Sequence, residues 1–327
     1  MMSSKSSQTV NASDVDYEAR IEEVDLPETV LSNVEEYEAV GGDRDRFVWK
    51  WIYSLLPKFT LSSVPRENAG SARIQKTNLT ILITLLDDLA EKHRDTGSFE
   101  EIKRGVISGE TDGARGSGDE AVVDFAGRLW SEIEAGFVDA PRHDEMREVF
   151  DYDLRQALNA MDYSRILNDH LPMANLTGTE HYGPHNMVMF PYADIDVMHS
   201  PAFEFTDFGE LRELIWDLQK MARIGNWLTT WEREIHEGDY TAGIVVYALR
   251  NDVITFDELR TTGPEHRDEL VDRIKERGIE DRFMNEWQHR YRAVTEKDYQ
   301  ADSVDVDAFI EGMETVMRHH LASRGHK

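Results

Sequence analysis

Two short acidic patterns in this chain could do chemistry. Asp87-Asp88-Leu89-Ala90-Glu91 follows directly on Ile81-Leu82-Ile83-Thr84-Leu85-Leu86, so it ends a helix that is apolar almost all round and therefore buried. Asp87 and Glu91 lie one helical turn apart on one face, with Asp88 offset by about 100°. Carboxylates that converge in a buried place need a cation. Hard oxygen ligands suit Mg²⁺, which takes one or two carboxylates and fills its other positions with water and phosphate oxygens. In the second pattern, Asn226-Trp227-Leu228-Thr229-Thr230-Trp231-Glu232-Arg233-Glu234, the residues Asn226, Thr230 and Glu234 recur every four positions. Each step of four drifts by only about 40° on a helix. An amide oxygen, a hydroxyl and a carboxylate therefore line up as a three-point oxygen chelate. Context separates these patterns from chance. Asp144-Glu145-Met146-Arg147-Glu148 has the first spacing, but no apolar run precedes it and Arg147 lies inside it, so it reads as a solvated helix start.

The elements that must carry both patterns are helical. Apolar residues recur at helical spacing over 47–56, 77–93, 121–135, 146–167, 211–235, 240–249, 266–274 and 306–321, and strand-like alternation is scarce. Two stretches interrupt the pattern: the Gly-rich 105–118, and 171–201 with Pro172, Gly178, Gly183, Pro184 and Pro191. The second reads as an irregular break inside a helical domain, because periodicity resumes after it without a linker-like composition. Residues 1–45 read as an acidic, partly flexible leader, Ser-rich at its start and broken at Pro27 and Gly41-Gly42. Residues 46–327 are then a single all-α domain.

Composition narrows the function. Among 327 residues, 64 acidic side chains face 36 basic ones, for a net charge of −28, and there is no cysteine. Disulfides, zinc-thiolate sites and cysteine nucleophiles are excluded. The charge repels a phosphate backbone or an anionic bilayer, which argues against nucleic acid and the membrane surface as partners. A phosphate-bearing substrate would need metal ions. Only ten of the basic residues are Lys, and an acid-rich, Lys-poor surface resembles adaptation to high salt. The longest apolar runs are too short to cross a bilayer, so the expected location is the cytoplasm. A homodimer is compatible with the sequence.

Taken together, the two patterns resemble those of class I terpene synthases, which carry a DDxx(D/E)-type motif on one helix and an (N/D)Dxx(S/T)xx(K/R)(D/E) motif on a facing one. Asp87, Asp88 and Glu91 match the first; Asn226, Thr230, Arg233 and Glu234 fall in register with the second, and Gly238-Asp239 resembles its common continuation. Asn226 follows Asp87 by 139 positions, close to the family's separation. The resemblance implies a single helical bundle of the class I terpenoid synthase type enclosing an apolar cavity. It implies three Mg²⁺ ions, with Mn²⁺ an alternative: two held by Asp87 and Glu91 with Asp88 supporting, and one by Asn226, Thr230 and Glu234. The implied reaction is ionisation of a linear prenyl diphosphate with diphosphate release and cyclisation of the carbocation; the salt-adapted composition mildly favours a twenty-carbon chain over a fifteen-carbon one. Arg233 would contact the diphosphate. Three positions depart from the pattern. Trp227 replaces an acidic residue. Glu180, His181 and Tyr182 stand where the family's diphosphate-sensing Arg falls, with His185 nearby. The late Arg-Tyr pair is either Arg290-Tyr291 or is reduced to Arg318. Candidate aromatic walls are Phe47, Trp49, Trp51, Tyr53, Phe190, Tyr192, Trp227 and Trp231, and the break at 171–201 would offer carbonyl dipoles to the cation. Two other readings fit the composition: a prenyl transferase or head-to-head synthase of the same fold, and a catalytically silent acidic helical protein.

Overall fold

The computed structural model describes residues 19–108, 116–261 and 263–322, and over them the chain is helical, with no strand. In chain order the helices are α1 (Glu28–Ala39), α2 (Arg46–Leu55), α3 (Arg66–Asp87), α4 (Thr96–Ser108), α5 (Glu120–Phe137), α6 (His143–Asp169), α7 (Leu176–Tyr182), α8 (Met189–Met198), α9 (Phe208–Glu237), α10 (Gly243–Arg250), α11 (Phe256–Arg260), α12 (Pro264–Glu276), α13 (Ile279–Glu296) and α14 (Val306–Ala322). Among these, no helix is long and apolar enough to cross a membrane. The two pattern-bearing helices are central. In α3 even Lys76, Thr77 and Asn78 are buried beside Leu79, Ile81 and Leu82, as expected of a helix apolar on most of its circumference. The 30-residue α9 packs against α8, α13 and α14.

The packed structure begins earlier than the boundary at residue 46 suggests. Val30, Val34 and Tyr37 of α1, at i, i+4 and i+7, are fully buried. Asn33 Nδ2 donates to Asn78 Oδ1 of α3 at 3.2 Å and to Glu132 Oε2 of α5 at 2.9 Å. An acidic outer face masked this stripe in the sequence. The Ser-rich residues 1–18, and 109–115 of the Gly-rich stretch, lie outside the described residues.

The break at 171–201 is real and has a definite form. A 3-10 turn, Gly183–Met187, leads into Val188 at φ 48°, ψ 26°, and only then does α8 start. A β-branched residue in the left-handed region costs on the order of 1–2 kcal/mol, so its surroundings must impose it. A ladder of polar pairs between α3 and α8 does so. Asn186 Nδ2 donates to Asp87 Oδ1 at 2.8 Å, Thr80 Oγ meets Tyr192 OH at 2.6 Å, Lys76 Nζ lies 2.5 Å from Asp196 Oδ2, and His199 Nε2 lies 3.1 Å from Gln75 Oε1. The numbers fall on α3 as they rise on α8, so the two helices run antiparallel.

The Lys76–Asp196 rung is 0% exposed on both sides; Lys76 also donates to Phe59 O at 2.9 Å, and Asp196 accepts from Leu61 N at 3.0 Å. Removing one partner leaves a buried uncompensated charge, which costs about 3–5 kcal/mol. Asp196→Ala should therefore lose about that much stability in denaturant unfolding, and Lys76→Met with Asp196→Leu should recover most of it. Equal losses in the single and double variants would mean that the rung is held by something other than its charge pairing.

Candidate active site

The two patterns meet in one cavity of about 240 Å³, walled by α2, α3, α8, α9 and α14. Its polar end is lined by Asp87 and Glu91 from one side and by Asn226, Thr230 and Glu234 from the other, with Arg44, Arg223 and Arg233 among them. Val48, Ile52, Leu55, Leu56, Phe59 and Ile83 are among the apolar residues that line the rest, with Thr80, Thr84, Tyr192 and His320 interspersed.

The first pattern does not continue α3 as a regular helix. Asp88–Lys92 is a π-helical turn, closed by His93 N donating to Asp88 O at 2.8 Å. Such a wide turn is uncommon and recurs at functional sites. Asp87 and Glu91 still both line the cavity. Asp88 does not: it receives Tyr37 OH at 3.0 Å and Arg44 Nε at 3.3 Å, and pairs closely with Arg44 Nη2. Its role is to anchor Arg44, and with it the loop after α1, at the cavity's polar end.

The second pattern is a regular helix face, and Thr230 Oγ donates back to Asn226 O at 2.9 Å. Gly238, at φ +85°, ends α9, and Asp239 N donates to Glu234 O at 2.8 Å; a left-handed residue after the last turn is a glycine role. This stop brings Asp239 into the interior, where Asn168 Nδ2 at 2.9 Å and Thr241 N at 3.0 Å hold it. Trp227 faces away from the cavity. Its ring packs edge-on against Phe283 at 5.7 Å, a Cβ on Gly243 would come within 2.6 Å of it, and the Arg223 guanidinium lies 5.6 Å over it. The acidic-to-Trp departure therefore leaves the cavity surface unchanged and supplies a platform for Arg223.

Arg223 is the residue that the motif comparison missed. It stands one turn before Asn226, is 5% exposed, and donates from Nη1 to Asn226 Oδ1 at 2.9 Å, while its Nε has no partner. Its spacing of three from Asn226, on the same face, was the available signal. Arg233 also lines the cavity, bonded to Glu237 at 2.6 Å with its Nε unpartnered. The other expected anion contacts lie elsewhere. Arg290 pairs with Glu286 at 2.8 Å beside a separate small cavity, Tyr291 OH donates to Glu314 at 3.3 Å, and Arg318 does not line the site. Of the eight candidate aromatics, Trp51 and Tyr192 line the cavity.

Burial dominates the electrostatics. Desolvation raises Glu91 well above the usual carboxylate range, and Asp239 and Asp87 add repulsion. Desolvation and Asp239 push Glu234 up to about 7, against the pull of Arg223 and Arg233. Asp87 is raised by burial, offset by its bond from Asn186. Glu91 Oε1 is buried without a hydrogen-bond partner. Among the described residues no three acidic or histidine side chains already close around one point; the oxygen donors stand on two walls with space between. An orphaned carboxylate oxygen, an all-oxygen donor set and open positions between the walls fit divalent cations that share their remaining sites with an anionic ligand. No family model matches this chain, and no curated protein matches it.

A carboxyl raised in the folded state keeps its proton where the unfolded chain releases it. Its stabilising contribution is complete below the ordinary value of 4.5 and is lost as pH climbs through about 7. Without divalent cations, Glu234→Gln should match the wild type in thermal stability near pH 4.5 and exceed it at pH 8. A difference independent of pH would show that Glu234 is not held in a desolvated state.

Proposed function

We infer that the protein ionises a linear prenyl diphosphate and cyclises the resulting carbocation, as a class I terpene synthase does. One observation carries this reading: the acidic groups of both motifs and three guanidiniums gather at one end of a cavity that is otherwise largely apolar. A charged head with an apolar tail is the ligand that such a division accommodates.

In this reading Arg223 and Arg233 bind the diphosphate through nitrogens that now lack partners, while Arg44, fixed by Asp88, covers the same end. Bound Mg²⁺, held by Asp87 and Glu91 on one wall and by Asn226, Thr230 and Glu234 on the other, would supply charge neutralisation for the departing diphosphate. The apolar walls exclude water from the cation. The strained turn at Met187 and Val188 brings irregular backbone into the lining, in keeping with a dipole near the reacting carbon.

With ten-, fifteen-, twenty- and twenty-five-carbon prenyl diphosphates, Mg²⁺ and high salt, the expected result is diphosphate release and a cyclic hydrocarbon or alcohol from one chain length. Asp87→Ala should abolish release, and Arg223→Gln should slow it on the order of 100-fold. Arg290→Gln should leave the rate unchanged. Absence of release by correctly folded protein, or a larger loss from Arg290→Gln than from Arg223→Gln, would contradict the assignment.

A further inference from the structure

A second group of buried carboxyls lies outside the cavity lining, where α8 packs against α6 and α9. Asp194 of α8 is 1% exposed and Asp153 of α6 is 3% exposed, and both approach one cation, Arg212 of α9. Arg212 is committed to Asp153, donating from Nη1 and Nη2 to its two oxygens at 2.6 and 3.0 Å. Asp194 is left with Oδ1 at 4.0 Å from Nη1 and with Oδ2 buried and unbonded. Two carboxylates against one guanidinium leave a net negative charge in the interior, and an unpaired buried carboxylate takes up a proton. The two carboxyls are within hydrogen-bonding reach of each other, a contact that is a bond only when one of them carries a proton to donate. Desolvation first, and Asp153 next, raise Asp194 well above the usual carboxylate range. The other titratable groups around the pair supply no countercharge. Burial holds His185, in the 3-10 turn before α8, below its ordinary value of 6.5, and Tyr152, beside Arg212, is an exposed phenol. Lys76 of α3 belongs to Asp196, which projects from α8 about 200° away from Asp194.

We propose that Asp153 and Asp194 share a single proton, and that this proton seats α8 against α6 and α9, so that the wall carrying the break at Val188 loosens when the proton is released. The pair is a pH-sensitive fastening of the fold, independent of the reaction inferred above. In the folded chain Asp194 keeps a proton that the unfolded chain releases above its ordinary value of 3.8. The fastening is therefore complete below that value and is lost as pH rises through the raised value of the folded state.

Asp194→Asn supplies the test, because an amide is neutral, still donates to Asp153 and does not titrate. In thermal unfolding of the full chain in high salt without divalent cations, wild type should lose about 3 °C or more relative to Asp194→Asn between pH 5 and pH 9. Glu91 and Glu234 titrate in both proteins and cancel. Hydrogen exchange locates the loss: over residues 189–198 the ratio of the wild-type rate to the Asp194→Asn rate should grow about tenfold or more from pH 5 to pH 8. Infrared spectra in D2O identify the proton. At pH 7 the protonated-carboxyl band should weaken equally in Asp194→Asn and in Asp153→Asn, since without Asp153 the Asp194 group pairs with Arg212 as a carboxylate. A stability difference that does not change with pH would overturn the buried proton. A band that weakens in Asp194→Asn but persists in Asp153→Asn would overturn its sharing, and a constant exchange ratio over 189–198 would overturn the fastening of α8. Should Asp194→Asn fail to fold, the infrared comparison of wild type with Asp153→Asn decides the matter by the same band.

Discussion

The structure turns on carboxylates that are buried facing one another. In a chain of charge −28, acidic groups are abundant and inexpensive in water, so their presence in the interior needs a reason. Asp87, Glu91, Glu234 and Asp239 approach each other from α3 and α9 against desolvation and mutual repulsion. Arg223 is the fixed charge that makes this tolerable without a ligand, lowering Asp87, Glu91 and Glu234 together. Much of the surrounding architecture holds these groups in place: the π-helical turn that carries Glu91, the Gly238 stop that turns Asp239 inward, and Trp227 beneath Arg223.

Asp87 also heads a run of buried polar contacts between α3 and α8. The α3–α8 ladder runs from Asp87, a carboxylate of the cavity lining, past Thr80 and Tyr192 to a fully buried ion pair, Lys76–Asp196. A break in a helix beside a cavity would normally be soft. Here Val188 sits in the left-handed region between a 3-10 turn and a helix bonded to α3 along its length, so the irregular backbone of the lining is flanked by fixed contacts.

Much of this was legible in the sequence, and the rest was hidden for physical reasons. The all-helical character, the burial of α3 and the break at 171–201 follow from periodicity and from Pro and Gly placement. The alignment of Asp87 with Glu91, and of Asn226 with Thr230 and Glu234, follows from four-residue spacing on each helix; that the two sets face each other was implied only by the resemblance. Three features do not. The packing of α1 was concealed because its apolar stripe is interrupted by Glu35, Glu36 and Glu38. Asp88 reads as offset by about 100° and supporting, and what it supports is not legible: Tyr37, 51 residues away, and Arg44 take it out of the cavity lining. Arg233 is named by its place in the second motif, but Arg44 and Arg223 emerge only when the fold brings them to the same cavity and leaves Arg290 beside Glu286. Sequence spacing reports neighbours on one helix; it carries no information about which distant helices close over them.

The central claim is that the two acidic walls and the arginines between them form a single composite site. Thermal unfolding of the full chain in high salt, with Mg²⁺ alone, inorganic diphosphate alone and both together, tests it most directly. A composite site gives little shift with either alone and a large shift with both, greater than the sum of the two. Equal stabilisation by Mg²⁺ with and without diphosphate, or no shift under any of the three conditions, would mean that the acidic cluster is a feature of the fold and not a place where a metal-bound diphosphate is held.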